Sequence, residues 1–279
     1  MAKREGISRY TLTEWFKKLN VKIINNHNRV KFNNHIFDCI DTEEKAYWLG
    51  FIFADGYISY SPLDNNKKSL YTFEISLQIL DYEHLIKFNK FIENENTNLK
   101  ISDCKVNNKQ FKRCRICLTN KHLWNVLNEY GCTPRKSLTL KFPDIKIFKS
   151  KDLIRHFIRG YFDGDGCLTY HKYIKIISPA CEFIGTKNFL NAIIKYSKIK
   201  GKFRHDKRHS NNTWILEYNK ENGIKLINYL YDKSMIYLNR KFKLFTFFKN
   251  GSRLIQEWIL LQSDNIGKNL LSDNTEIII

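Results

Sequence analysis

Residues 157–166 read F-I-R-G-Y-F-D-G-D-G, and residues 48–56 read W-L-G-F-I-F-A-D-G. Both tracts are apolar enough to form buried helices, yet both carry small residues where a helix interior penalises them. Gly160 and Gly164 stand four apart, as do Gly50 and Ala54, and each tract stops at an aspartate followed by glycine. A glycine inside a helix costs about 1 kcal/mol relative to alanine, so a helix that accepts it gains something in return. Positions i and i+4 share one helix face. Gly50 with Ala54, and Gly160 with Gly164, therefore give each helix a stripe almost bare of side chains. Two such stripes let two helices approach backbone to backbone, with Phe51, Ile52, Tyr161 and Phe162 packing into the cores on either side. These four small residues are the expected interface.

The copies are related by a fixed offset, 165 minus 55, or 110 residues. The segments after each copy also match in kind. After the first come an alternating stretch at 71–79, a helical pattern at 81–92, a strand-like stretch at 111–118 and a helical pattern at 121–131. After the second come a strand-like stretch at 173–178, a helix at 186–197, strands at 201–205 and 213–218, and a helix at 224–231. Both copies then reach a Lys-Ser pair, Lys136-Ser137 and Lys233-Ser234. The expected fold is α+β, built from two pseudo-symmetric αββαββα halves. The domain boundaries expected are 1–44 for a helical and basic extension, 45–148 for the first half, and 149–279 for the second half with a C-terminal helix.

Pairing the two helices would set Asp55 beside Asp165. Two adjacent carboxylates repel unless a positive charge lies between them. A divalent cation fits, because Mg²⁺ is held by a few carboxylates together with water and substrate phosphate oxygens. The substrate side comes from charge: 47 Lys+Arg against 28 Asp+Glu give a net +19, which favours a polyanion, nucleic acid above all. No apolar stretch approaches the length of a membrane span, and the first ten residues lack a secretory apolar core. Seven cysteines, odd in number and scattered, suit a reducing intracellular compartment. The C-x-x-C of Cys114 and Cys117 lies in an alternating stretch and is read as thiols on a strand rather than a zinc knuckle. The likewise suggestive His205, Asp206 and His209 are read as polar loop residues.

The two tracts resemble the signature helices of LAGLIDADG homing endonucleases, in the single-chain form that carries both. The similarity runs from about Ala46 to about residue 248, and one motif alone would be far less specific. The resemblance implies a monomer with a pseudo-twofold axis, the motif helices at the inter-half interface, and two sheets forming a saddle over double-stranded DNA. It implies Asp55 and Asp165 as metal-binding acids sharing two or three Mg²⁺ ions, with the carbonyls of Ala54 and Gly164 as additional ligands. It implies Lys136 and Lys233 as catalytic lysines near the scissile phosphates. The activity implied is a site-specific double-strand break with short 3′ overhangs, as in intron homing. Two departures stand out. The sixth motif position is Phe53 in one copy and Asp163 in the other, so Asp163 is given no catalytic role. Arg159 replaces a small residue, and its side chain is expected to turn away from the interface. The M-A-K-R start and N-T-E-I-I-I finish lack intein splicing residues, which suggests a free-standing or intron-encoded protein.

Strand alternation sorts the DNA-facing candidates. Thr72, Glu74, Ser76 and Gln78 fall opposite the apolar residues of 71–79, and Arg113 and Arg115 fall opposite Cys114 and Ile116. In the second half the candidates are Lys175, Lys202 and Arg204. Such residues suit phosphates and base edges. Residues 8–23 are expected to form a helix that either extends the DNA footprint or packs on the first half. Residues 253–261 are expected to form a structural helix. The competing functions are an intron RNA maturase and a non-cutting DNA-binding regulator on the same fold.

Overall fold

The computed structural model describes residues 31–62, 70–94, 99–106, 109–172, 177–206 and 213–250. The expected helices at 8–23 and 253–261, the loop at 207–212 with His209, and Lys175 lie outside the described residues. The chain divides into units Met1–Lys31 and Phe32–Ile279, and the repeated architecture belongs to the second.

The chain builds αββαββα twice. The first half runs α1 (Glu43–Asp55), β1 (Gly56–Ser61), β2 (Leu70–Gln78), α2 (Tyr82–Phe91), β3 (Lys100–Val106), β4 (Lys109–Thr119) and α3 (Lys121–Glu129). The second runs α4 (Leu153–Asp165), β5 (Cys167–Lys172), β6 (Ile177–Gly185), α5 (Lys187–Ser197), β7 (Lys202–His205), β8 (Trp214–Asn219) and α6 (Lys220–Tyr231), followed by α7 (Asn239–Lys249). The two sheets are antiparallel and share one topology, β1-β2-β4-β3 and β5-β6-β8-β7. The pattern expected from sequence is thus the pattern observed. Strands β1, β3 and β5 were not picked out individually, and β6 begins and ends later than 173–178. Strands β1 and β5 start at or directly after the glycine that ends a motif helix, so the helical pattern runs into them without a break.

Local chemistry explains the helix limits. Thr42 caps α1, its hydroxyl accepting from Lys45 N at 3.2 Å, and Glu43 and Glu44 favour the positive end of the helix dipole. Asn120 and Thr186 cap α3 and α5 in the same way. Helices α1 and α4 both end at a glycine whose N–H returns to the helix, Gly56 to Ile52 O and Gly166 to Phe162 O.

Each sheet buries one face under its own helices. Phe73, Ile75, Leu77, Cys114, Ile116 and Leu118 line the first core, and Cys181, Phe183, Leu216 and Tyr218 the second. Each large side chain so buried contributes roughly 1.5–3 kcal/mol by leaving water. Between the two cores α1 and α4 pack on each other more extensively than any other pair of elements.

The contact between α1 and α4 is reciprocal. A Cβ on Gly50 would stand 1.9 Å from Phe157 O and 2.9 Å from Tyr161 N. A Cβ on Gly160 would stand 1.9 Å from Tyr47 O and 2.8 Å from Phe51 N. Phe157 and Tyr161 are the residues 110 positions after Tyr47 and Phe51, so each glycine meets the equivalent stretch of the other helix. That is a pseudo-twofold axis written in backbone contacts. No side chain fits in either place, which accounts for the glycines.

Arg159 departs from expectation. It is fully buried, and it reaches across to α1 rather than turning away. Its guanidinium donates to Glu43 Oε1 at 2.7 Å, to Ile236 O at 2.9 Å and to Leu230 O at 3.1 Å. Glu43 in turn accepts from Met235 N at 2.7 Å. A buried guanidinium needs this full set of acceptors, because an unpaired one is costly.

Candidate active site

The C-terminal ends of α1 and α4 carry Asp55 and Asp165. Ala54 and Gly164 hold these ends together. A Cβ on Gly164 would lie 2.4 Å from Ala54 Cβ and 3.0 Å from Asp55 Oδ2. The small residue at 164 thus makes room for the carboxylate of the opposite half. Gly56 and Gly166 then take the chain directly into β1 and β5, their absent side chains avoiding Ile52 O and Phe162 O.

Asp55 is half-buried and Asp165 remains exposed at its surface, yet both are surrounded by protein atoms. That surrounding pushes the Asp55 carboxyl up to about 7, and the neighbouring Asp165 adds to the rise. Burial also raises Asp165. Lys136 and Lys241 oppose the rise at both acids. The site therefore consists of two acids between two cations.

The lysines are held alike. Lys136 Nζ, from the short turn Lys136–Leu138, donates to Ala54 O at 3.2 Å and to Gly56 O. Lys241 Nζ, from the first turn of α7, donates to Asp163 O at 3.1 Å and to Phe162 O and Gly166 O. Gly56 and Gly166 are equivalent in the repeat, so each lysine crosses the end of one motif helix. Lys241 is buried, and burial lowers its ammonium to about 8.

Among the described contacts Lys136 reaches the end of α1, whereas the end of α4 is reached by Lys241 and not by Lys233. Lys233 lies exposed in the turn after α6, with left-handed backbone at φ 55°. The second half continues through residues 232–238 into α7, an element with no counterpart among the described residues of the first half. A sequence signal for Lys241 existed. Leu244, Phe245 and Phe248 lie three, four and seven residues on, forming one buried helical stripe headed by a lysine.

Behind the acids Asp163 is buried and fully engaged. It accepts from Tyr47 OH at 2.8 Å, from Leu238 N at 2.7 Å and from Tyr231 OH at 2.5 Å. It fixes the approach to α7 and is buried away from solvent. Tyr47 also meets His84 Nε2 at 2.9 Å. Because the Tyr47 proton goes to Asp163, His84 must donate through Nε2, leaving Nδ1 an acceptor without a partner. Burial accordingly drives His84 down to about 3.

The candidate DNA-facing residues fall on the sheet faces away from the cores. Thr72, Glu74, Ser76 and Gln78 pair with Thr119, Cys117, Arg115 and Arg113. Gln78 and Arg113 are exposed, while Arg115 is half-buried and lies 3.6 Å from Glu74. On the second sheet Lys202 and Arg204 are exposed, and Arg204 is held by Glu217 and, at 3.1 Å, by Glu182. Cys114 points into the core and Cys117 to the opposite face, so these two thiols cannot share an ion. All seven cysteines are free. No helix of the described residues is long and apolar enough to cross a membrane.

No family model matches the chain. Among curated proteins it is similar to a probable translation initiation factor IF-2 from Methanocaldococcus jannaschii, 28% identical over 142 residues. That match takes in 50% of this chain, which spans only 10% of the length of that relative. Among solved structures it is similar to the LAGLIDADG meganuclease I-AabMI bound to uncleaved DNA, at 14% identity and TM-score 0.48, over 77% of this chain and 94% of that one. It is also similar to the LAGLIDADG homing endonuclease I-GzeII in complex with its DNA target, at 14% identity and TM-score 0.45, over 74% and 91%. A third is the I-LtrWI LAGLIDADG homing endonuclease bound to target DNA, at 13% identity and TM-score 0.46, over 75% and 92%.

Proposed function

We propose that this chain is a LAGLIDADG-type, site-specific DNA endonuclease that hydrolyses both strands of a duplex with divalent metal, Mg²⁺ by preference. The observation that carries the reading is the juxtaposition of Asp55 and Asp165 at the ends of two reciprocally packed helices, each crossed by a lysine.

The donor set suits the ion. Burial and the neighbouring Asp165 hold a proton on Asp55 near neutral pH, and a divalent charge placed between the two acids removes that conflict. Asp55 and Asp165 would hold two or three ions, with the carbonyl of Gly164 alongside. The Ala54 carbonyl already accepts from Lys136 and would share its second lone pair. When bound, the metal supplies an activated water and stabilises the leaving oxygen. Lys136 and Lys241 set positive charge where phosphate charge grows during cleavage, and their carbonyl partners keep them there. One acid from each half suits one scissile bond on each strand, because the backbones of a duplex are themselves related by local twofold axes. The resemblance to the two-motif family adds that such offset cuts would leave short 3′ overhangs. The +19 charge and the polar sheet faces supply phosphate and base contacts.

The test selects duplexes from a randomised library in Ca²⁺, then adds Mg²⁺, using the full chain beside Asp55→Asn and Asp165→Asn. We expect staggered double-strand cuts in one recovered sequence, with at least a thousandfold slower cutting but retained binding in both variants. Wild-type cutting by either variant would refute the two-acid mechanism. Binding without cutting by the unaltered chain would leave a regulator, and selection of structured RNA in place of duplex DNA would leave a maturase.

A further inference from the structure

Away from the acids, on the flank of the first half, His35, Asp38 and His122 converge. His35 Nδ1 lies 2.8 Å from Asp38 Oδ2, and His122 Nε2 lies 2.6 Å from Asp38 Oδ1. The two imidazole rings are 4.3 Å apart between centroids. One ligand atom from each residue can be chosen so that all lie within 4.8 Å of one another.

We propose that these three residues form a binding site for a borderline transition-metal ion, Zn²⁺ by preference, separate from the nucleolytic centre. The donor set is two imidazole nitrogens and one carboxylate oxygen. Three protein ligands of these kinds leave a fourth position for water in a tetrahedral zinc site. Imidazole is a poor partner for Mg²⁺ and Ca²⁺, which take oxygen, and a good one for zinc, cobalt and nickel. The chemistry of this flank therefore selects a different class of ion from the paired aspartates.

The backbone that carries the ligands is fixed without the imidazoles. In the turn at 33–38, Asn33 Oδ1 accepts from His35 N at 3.1 Å, and Asp38 N donates to His35 O at 3.1 Å. Asn33 N donates to Ile92 O at 2.8 Å, and Tyr130 OH donates to Phe37 O at 3.0 Å, anchoring the turn to the end of α2 and the end of α3. His122 stands in the first turn of α3, whose start is capped by Asn120 at 2.9 Å. Three ligand atoms that all lie within 4.8 Å of one another leave a central point no more than about 2.8 Å from each. Side-chain rotations that move the ligand atoms by less than about 1 Å bring them to the roughly 2.0–2.1 Å that zinc requires. The side chains are 64%, 43% and 40% exposed for His35, Asp38 and His122, so an ion can enter from solution. Bound there, it would tie the turn at 33–38 to α3.

The experiment uses the full chain carrying Asp55→Asn and Asp165→Asn, so that the paired acids do not contribute. The protein is stripped with chelator and titrated with Zn²⁺ against a chromogenic competitor, then with Co²⁺ by visible absorption. We expect one equivalent of zinc weakened at least tenfold by His35→Ala and by His122→Ala, and a cobalt spectrum of low coordination number that both substitutions abolish. Zinc should also raise the melting temperature of the parent and not that of His35→Ala, a substitution at an exposed position that leaves the fold intact. Equal zinc affinity in the parent and the histidine variants would overturn the proposal, as would the absence of a cobalt spectrum that depends on His35 and His122.

Discussion

Asp163 and Lys241 show how little a residue's type reveals of its work. Asp163 sits inside the second glycine-acid tract, two residues before the candidate metal ligand, but three donors consume it. Lys241 sits in an aromatic helix outside the motifs and ends beside the acids. Replacing Lys241 by methionine should slow single-turnover cleavage by on the order of a hundredfold or more, the usual cost of removing one oriented electrostatic group. Lys233→Met should leave the rate within about twofold. The reverse ranking would mean that the turn after α6, not α7, supplies the second cation. His84 makes a pH prediction at the same scale. Its folded-state value, about 3, lies below the ordinary 6.5 because its buried ring has no partner for a second proton. The unfolded chain therefore binds the extra proton first, and stability must fall as pH drops from about 6.5 towards 3. His84→Gln should flatten that part of the urea-midpoint profile between pH 6.5 and 4. An unchanged slope would place the acid lability elsewhere.

At the scale of elements the decisive event is the meeting of α1 and α4. Helix propensity argues against both glycines, and packing overrides it because a Cβ at either would stand 1.9 Å from a backbone carbonyl oxygen. A backbone atom cannot rotate out of the way as a side chain can. Gly160→Ala should therefore cost about 3 kcal/mol or more by overpacking, despite the helix preference of alanine. Urea unfolding measures this directly, and a stabilised Gly160→Ala protein would mean the helices do not touch as described. The same contact sets the separation of Asp55 and Asp165, so a tolerated alanine would still be expected to impair cutting.

At the scale of the molecule, Glu43 and Arg159 bind the halves together. Glu43 opens α1, and Arg159 lies within α4 while also holding the backbone of residues 230 and 236. Removing one partner leaves a buried charge unanswered, so Glu43→Gln should destabilise by roughly 3–5 kcal/mol, whereas Glu43→Leu combined with Arg159→Met should recover a substantial part of that loss. A double-mutant cycle in urea decides it, and additive losses would mean the pair is not coupled. The sequence by itself determined the repeat, the αββαββα order, the glycine stripes and the pair Asp55 and Asp165. These are consequences of local spacing, because helix and strand periods and a fixed 110-residue offset are written along the chain. It also supplied Lys136, which comes soon after the first half's last helix. Only the tertiary structure decided that Lys241 rather than Lys233 meets the end of α4, that Arg159 crosses to Glu43, and that His35, Asp38 and His122 meet. Each of those depends on where a connecting segment carries the chain, and hydrogen bonds between residues 77, 116 or 84 positions apart leave no period in the sequence to read.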